Sequence, residues 1–336
     1  MEKKHILVIG GAGYIGSHMV KCLLDAQYPV VVVDNLSTGH VESLQGGTFY
    51  QGSIGDSAFM DKVFEAHDIG AVMHFAACAL VGESVINPLK YYRNNLSETT
   101  DLLSTMIRHH VKYFIFSSTA AVYGEPVKIP ITEDHPKEPT NPYGATKIAV
   151  EKMLGYCDAA YGLKYMTLRY FNAAGADESG MIGERHDPET HLIPLVLKAA
   201  LGEIENIKIF GTNYTTPDGT CIRDYIHVND LASAHMLSLE ALFSGKNSSV
   251  YNLGNSNGYS VRELIDTARK VTGRSITALD AERRPGDPAV LVASSEKIKK
   301  ELGYKPQYED LETIIRSAWN WHQNVHLQKP GFKKQV

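Results

Sequence analysis

The run Gly10-Gly-Ala-Gly13-Tyr-Ile-Gly16 sits directly behind the apolar pentapeptide His5-Ile-Leu-Val-Ile9, and it constrains this chain more than any other stretch. A buried strand that ends in glycines three residues apart and opens a helix, here over 14–26, suits few folds. Gly10 permits the tight turn out of the strand, Gly13 lets the backbone approach a pyrophosphate, and Gly16 lets the helix pack closely on the strand. The helix N-terminus offers unpaired N–H groups and a positive dipole end to phosphates. The next apolar run, Val30-Val-Val-Val-Asp34, closes on an acid placed to bind ribose hydroxyls. That carboxylate repels a 2′-phosphate, and no arginine follows at once to neutralise one. NAD rather than NADP is therefore the expected cofactor.

Three further runs, Ala71-Val-Met-His-Phe75, Tyr113-Phe-Ile-Phe-Ser117 and Tyr165-Met-Thr-Leu-Arg169, are continuously apolar or nearly so. Such runs suit strands buried on both faces of a parallel sheet. Helical patterning over 56–67, 89–110 and 143–161 alternates with them. The predicted fold is an α/β doubly wound parallel sheet of Rossmann type with a second, smaller α/β lobe. Residues 173–191, rich in Gly, Asp, Glu and Pro, read as a surface excursion. Shorter elements follow, with helices expected over 192–201, 230–243, 261–271 and 311–321. The expected division gives the dinucleotide domain residues 1–175, joined by about 222–250. The substrate lobe takes 176–221 and 251–336. The proline-rich stretch 125–142 reads as a long loop of the kind that often serves function.

Composition excludes several classes. The 336 residues are 43% hydrophobic and 21% charged, which suits a globular chain with an ample core. A net charge of −5 leaves no basic footprint for nucleic acid. The Lys333-Lys334 pair reads as a solvated tail. Cys22, Cys78, Cys157 and Cys221 lack metal or redox spacing and suit a reducing cytosol, so no metal is expected. No leader-like or membrane-spanning run is present, and a cytoplasmic protein is expected.

Tyr143-Gly-Ala-Thr-Lys147 places a phenol and an ammonium one helical turn apart on one face. A phenol with a reference pKa near ~10 is neutral at physiological pH, and a neighbouring cation stabilises its anion. A positive nicotinamide ring acts in the same direction, so Tyr143 suits a general base. The pair follows the strand ending Ser117-Ser-Thr119, and ligands of such sheets bind at that carboxyl edge. The Thr119 hydroxyl is placed there to hold a substrate oxygen and relay its proton. Among 18 tyrosines roughly one such spacing arises by chance, so the placement carries the argument. The competing view is a helix-surface pair beside a polar strand end.

These runs, with His74-Phe-Ala-Ala77, Val81-Gly-Glu-Ser84, Tyr91-Tyr-Arg-Asn-Asn95, Arg169-Tyr-Phe-Asn172, Arg223-Asp-Tyr-Ile-His-Val228, Tyr251-Asn-Leu-Gly254 and Arg284-Pro-Gly-Asp287, resemble the extended short-chain dehydrogenase/reductase family across residues 5–322. Within it they are most similar to the branch of UDP-sugar 4-epimerases that interconverts UDP-glucose and UDP-galactose. The resemblance implies a tightly held NAD and a transient 4-keto sugar that turns over in the site before hydride returns to its other face. Tyr143 takes the 4-hydroxyl proton, Thr119 shares the hydrogen bond, and Lys147 lowers the Tyr143 pKa and holds the nicotinamide ribose. Implied cofactor contacts are Gly10, Gly13, Tyr14, Ile15, Gly16, Asp34, Asn35, Ser53, Ile54, Phe75, Ala76, Ala77, Asn94, Ser117 and Tyr170, besides Tyr143 and Lys147. Asn172, Arg223 and Arg284 are implied at the diphosphate, where an arginine fork suits phosphate oxygens. Asp287 is implied at the uridine ribose and Phe210 beside the uracil. Phe171, His191, Leu192 and Leu291 are implied in the sugar region. A homodimer that pairs the helices over 89–110 and 143–161 is also implied.

The sequence departs from the family pattern at Ser53, where aspartate is common, at Ala79, where a polar residue or lysine is common, and at His191, where asparagine is common. Leu291 stands where strict glucose/galactose enzymes can carry tyrosine, leaving room for a 2-acetamido group, so UDP-GlcNAc and UDP-GalNAc are expected as further substrates. Ala120 and Ala121 follow Thr119 where dehydratases and decarboxylases of the family carry acids, and alanine moves no proton. Two alternatives stay open: an epimerase of UDP-GlcNAc or a UDP-pentose, and a non-catalytic NAD-binding regulator on the same fold.

Overall fold

The computed structural model describes residues 3–284 and 287–328; the Lys333-Lys334 tail and the Pro285-Gly286 step lie outside the described residues. The chain runs through β1 (His5–Ile9), α1 (Tyr14–Asp25), β2 (Val30–Asp34), β3 (Thr48–Gln51), α2 (Ser57–Ala66), β4 (Ile69–His74), α3 (Val81–Ile86), α4 (Pro88–Tyr91), α5 (Glu98–Arg108), β5 (Tyr113–Thr119), α6 (Pro142–Tyr161), β6 (Lys164–Tyr170) and β7 (Asn172–Ala174). It continues through α7 (Leu192–Ala200), β8 (Ile207–Phe210), β9 (Ile222–His227), α8 (Val228–Phe243), β10 (Ser249–Leu253), β11 (Gly258–Ser260), α9 (Val261–Thr272), β12 (Ala278–Ala281), β13 (Val290–Leu291), α10 (Glu296–Leu302) and α11 (Leu311–Gln328).

The apolar runs do form one parallel sheet, of seven strands in the order β10-β6-β5-β4-β1-β2-β3. Alternate side chains point to opposite faces. Ile6 and Val8 meet Met19 and Leu23 of α1 and Leu231 and Leu239 of α8 on one side. Leu7 and Ile9 meet Met60 of α2, Met106 of α5 and Leu154 of α6 on the other. Strand order runs outward in opposite senses on either side of β1, which pairs in parallel with β2 and β4. A cleft opens at such a switch point, outside the carboxyl ends of the strands. Both outer strands, β3 and β10, escape the sequence reading. Thr48, Phe49, Tyr50 and Gln51 are all at least part-exposed, so no continuous apolar run marks that edge.

The helix expected over 89–110 forms as one continuous helical run over 88–108, but it is not α-helical throughout. Between α4 and α5, residues Tyr92–Ser97 form a π-helical turn. The wider turn directs Asn95 inward, where its amide accepts from the Cys78 N–H and donates to the Cys78 carbonyl, both at 2.9 Å. A period of 3.6 residues cannot register that inserted residue. By contrast, α6 follows local rules throughout. Asn141 caps it by accepting from the Gly144 N–H at 2.9 Å, Pro142 opens it, and Gly162 closes it at φ 69°.

A second core gathers Val196 and Leu197 of α7, Leu264 and Ile265 of α9, and Ile314, Ile315 and Trp319 of α11. Small sheets flank it: β11-β9-β13, with β7 also pairing β9, and β12-β8. Ile298 of α10 and Tyr304 pack in the first core, although they follow residue 251. Among the described residues no helix is long and apolar enough to cross a membrane.

Candidate active site

The glycine turn is shaped by what surrounds it. Gly10 takes φ +75°, and a Cβ there would stand 2.6 Å from the Ala76 nitrogen. A Cβ on Gly16 would stand 2.1 Å from the Gly10 carbonyl oxygen. Gly13 is different: an added Cβ would meet only that oxygen, at 3.3 Å. Gly13 also caps α1 with no side-chain hydrogen bond to the first helical turn. The free N–H groups at that end suit a pyrophosphate. Asp34 lies at the end of β2, nearly buried, and accepts from the N–H groups of Ala12 (3.0 Å) and Leu36 (2.8 Å). Burial raises its carboxyl pKa, and these two hydrogen bonds oppose the rise.

From this turn a cleft of about 840 Å³ extends across the carboxyl ends of the strands toward the second core. Of the residues named for the cofactor, Gly10, Gly13, Tyr14, Ile15, Gly16, Asp34, Asn35, Ser53, Ile54, Phe75, Ala76, Ala77, Asn94, Tyr143 and Tyr170 line it. Thr119, Phe171, Asn172, His191, Leu192, Arg223, Asp287 and Leu291 line its remainder. Lys147 and Ser117 lie behind the wall, both buried. Phe210 and Arg284 fall outside the lining and stack on each other, guanidinium carbon to ring centre 4.0 Å. The Tyr14 hydroxyl donates to the Gly175 carbonyl at 2.7 Å, leaving the ring to face the cleft. Ser53 donates to Glu98 at 2.8 Å, a carboxylate that also lines the cleft and that the sequence reading did not single out.

At the centre stand Tyr143 and Thr119. Burial raises the Tyr143 pKa, and the Thr119 side chain opposes only part of that rise. The Ala121 N–H donates to the Thr119 hydroxyl oxygen at 3.1 Å, which leaves the hydroxyl proton for the phenol oxygen. Lys147, one helical turn from Tyr143, is held on the adjoining strand. The Lys147 ammonium donates to the Ser117 carbonyl at 2.8 Å, and burial brings its own pKa down to about 7. Spacing on a helix places the pair on one face but does not decide which acceptor the flexible ammonium chooses. Ser117 in turn bonds the Tyr170 hydroxyl through its side chain.

On the far side Arg223 meets Asp287 at 2.5 Å, and Asn172 donates to the Asp224 carbonyl at 2.8 Å. His191 does not stand free in the sugar region: its Nδ1 lies 3.0 Å from both Glu184 and Glu189.

Residues 6–254 match the NAD dependent epimerase/dehydratase family. A UDP-glucose 4-epimerase of Halalkalibacterium halodurans is 57% identical over 94% of this chain and 95% of its own. Among solved structures, UDP-glucose 4-epimerase from Brucella ovis in complex with NAD superposes with TM-score 0.92 at 48% identity, covering 94% of this chain and 97% of that one. The UDP-Glc/GlcNAc 4-epimerase from Campylobacter jejuni gives TM-score 0.84 at 41% identity, covering 96% and 99%. The chain belongs to the NAD dependent epimerase/dehydratase family. It is an enzyme, and its cofactor is NAD.

With the family known, the enzyme's unpredicted cleft residues become informative. Ser118, between the expected Ser117 and Thr119, lines the cleft and donates to Glu151 of α6 at 2.6 Å. Glu184 and His186 line the opposite rim. Their signal is present in the sequence as alternating acid and histidine, Glu184-x-His186-x-x-Glu189-x-His191, within the segment read as a surface excursion.

Proposed function

We propose that the enzyme interconverts UDP-glucose and UDP-galactose by inverting the sugar C4. The observation that carries this reading is the meeting of Tyr143 and Thr119 in the same cleft as the Gly13 turn. NAD, when bound along the Gly10–Gly16 turn, supplies the acceptor and donor of hydride. The chain's own residues do the rest. The Tyr143 oxygen takes the proton of the sugar 4-hydroxyl and returns it on the other face. Thr119 holds that oxygen through its free hydroxyl proton. Lys147, fixed on Ser117, keeps a positive charge behind the reacting face while it is protonated. Arg223 and Asn172 anchor the diphosphate, the pivot about which the 4-keto sugar turns, and Arg284 joins them as a third anchor. Asp287, paired with Arg223 in the chain alone, holds the uridine ribose, and Phe210 flanks the uracil.

Two finer points belong to this proposal. Leu291 packs with Val122, Tyr123, Ile131 and Phe171 at the sugar end, which leaves width for a 2-acetamido group, so UDP-GlcNAc and UDP-GalNAc are also substrates. The enzyme is a homodimer: Ile86, Leu89 and Tyr156, on α3, α4 and α6, are 86%, 79% and 77% exposed, an apolar face suited to a second copy.

Incubation of the purified protein with UDP-galactose and no added cofactor tests the reading. UDP-glucose is expected to appear, and Tyr143→Phe is expected to lower turnover by about 10²- to 10⁴-fold. Undiminished turnover in that variant refutes the assignment of the base.

A further inference from the structure

Glu184, His186, Glu189 and His191 converge on the cleft rim, each offering one ligand atom, and these atoms all lie within 4.8 Å of one another. We propose that they form a binding site for one divalent transition ion of the zinc class, which fixes residues 184–191 against the dinucleotide-binding half. Cysteine spacing points to no metal in this chain. The site comes instead from two imidazoles and two carboxylates drawn from one eight-residue stretch.

The separations fit. His191 Nδ1 lies 3.0 Å from oxygens of both Glu184 and Glu189. His186 Nδ1 lies 3.3 Å from Glu184 and 3.6 Å from Glu189. Tetrahedral bonds of about 2.0–2.1 Å set neighbouring ligand atoms roughly 3.3 Å apart. Four nitrogen and oxygen donors at these distances match a small tetrahedral ion better than calcium, which takes more oxygens at longer range.

The charges fit as well. The Glu184 and Glu189 side chains are 7% and 2% exposed, and their ion-pair partners among the described residues are the two histidines. Two carboxylates with two neutral imidazoles carry the two negative charges that a dication balances. His186 Nδ1 is buried among these oxygens, 3.3 and 3.6 Å from the nearest of them, without a well-aligned hydrogen bond to either carboxylate. A buried polar atom in that state calls for an explanation, and an unseen ion is one. Both glutamates are also held in place from behind. One Glu189 carboxylate oxygen accepts from the N–H groups of Thr190 (2.8 Å) and His191 (2.9 Å), while at Glu184 it is the backbone that is held, the Trp321 indole donating to its main-chain carbonyl at 3.2 Å. Such outer contacts orient ligands and tune affinity.

Position gives the ion its role. Glu184, His186 and His191 line the cleft, and the neighbouring Arg185 reaches Glu42 of the first half at 3.7 Å. Four protein ligands leave no open coordination position, the mark of a structural rather than a catalytic ion. The competing arrangement is two imidazolium–carboxylate pairs with no metal.

Tag-free protein, stripped by a chelator and dialysed, is titrated with Co²⁺ and separately with Zn²⁺. One equivalent of Co²⁺ per chain should give the intense visible absorption of a four-coordinate ion, displaced by Zn²⁺. Zn²⁺ should raise the melting temperature, because an ion that binds only the folded state stabilises it. Glu189→Gln and His186→Ala should each weaken binding at least about tenfold, as loss of a ligand requires. His5→Asn, far from the cluster, should bind as the parent does. Absence of the four-coordinate spectrum, or equal binding by parent and both cluster variants, overturns the proposal and leaves the ion pairs as the whole account.

Discussion

Arg169 and Glu151 face each other as a buried ion pair, guanidinium to carboxylate 2.5 Å, with side chains 4% and 5% exposed. Ser118 donates to the same carboxylate, and Arg169 donates to the Tyr123 hydroxyl at 2.8 Å. The pair pins α6, which carries Tyr143 and Lys147, to β6 beside the strand that carries Thr119. Removing one partner strands a buried charge. Arg169→Met is expected to cost about 3–5 kcal/mol in urea unfolding. Arg169→Met with Glu151→Leu should cost less than the two single changes added together, because neither charge then remains. Strict additivity would show that the pair does not couple.

Gly16 and Gly13 should answer differently to alanine. Gly16→Ala drives a methyl into the Gly10 carbonyl at 2.1 Å, so the strand–helix packing must yield, at about 1–3 kcal/mol or more. Gly13 has φ −79°, and an added Cβ would meet only the Gly10 carbonyl oxygen, at 3.3 Å, a tight contact relieved by a shift of a few tenths of an ångström. Gly13→Ala should therefore fold with a loss under about 1 kcal/mol, typical of a cap change, yet release its NAD. Nucleotide content after purification, measured beside urea midpoints, separates the two. Full NAD retention in Gly13→Ala would contradict the placement of the pyrophosphate.

Leu291 forms part of the sugar-end wall with Phe171. Leu291→Tyr should narrow that end and lower kcat/KM for UDP-GalNAc by about 10- to 200-fold, the scale of steric discrimination, while UDP-galactose is little affected. Equal losses on both sugars would place the acetamido pocket elsewhere.

Stability should fall on mild acidification. Burial lowers the pKa of His74 and His227 to about 3 and of His18 and His235 to about 4. Two cases show why they stay neutral. Thr99 gives its proton to the Asn95 carbonyl, so its oxygen must accept from His74 Nε2, and His74 Nδ1 is buried without a partner. His235 donates from Nδ1 to the Leu231 carbonyl, and its Nε2 is likewise unpartnered. The unfolded chain takes up these protons near pH ~6.5, the native state only near 3–4. Their contribution is thus whole above pH ~6.5 and declines as pH falls below it, by about 1.4 kcal/mol per unit for each group. Asp224, raised to about 7 by burial, acts in the opposite sense, favouring the native state as pH falls. The urea midpoint should be lower at pH ~5 than at pH ~6.5, and His235→Leu should flatten the difference. A midpoint independent of pH would contradict the neutral state of these rings.

Much of this was legible in the residues alone, where the physics is local. The strand, glycine turn and helix at 5–26 follow from apolar continuity and from positions that tolerate no Cβ. The limits of α6 follow from Asn141, Pro142 and Gly162. Gly13, Asp34, Thr119 and Tyr143 then share a cleft because each sits at the carboxyl end of its strand or on the adjoining turn or helix.

Tertiary structure decided whatever depends on partners distant in sequence. Asn95 bends its helix because Cys78, 17 residues back, offers both a donor and an acceptor. Lys147 turns to Ser117, 30 residues away, because the buried carbonyl lies nearer its ammonium than any spacing rule can foresee. The edge strands β3 and β10 exist because a neighbouring strand supplies their hydrogen bonds, whereas their own side chains alone do not demand them. Local sequence sets dihedral preference and periodicity; only the folded chain determines which polar groups meet once water has been removed.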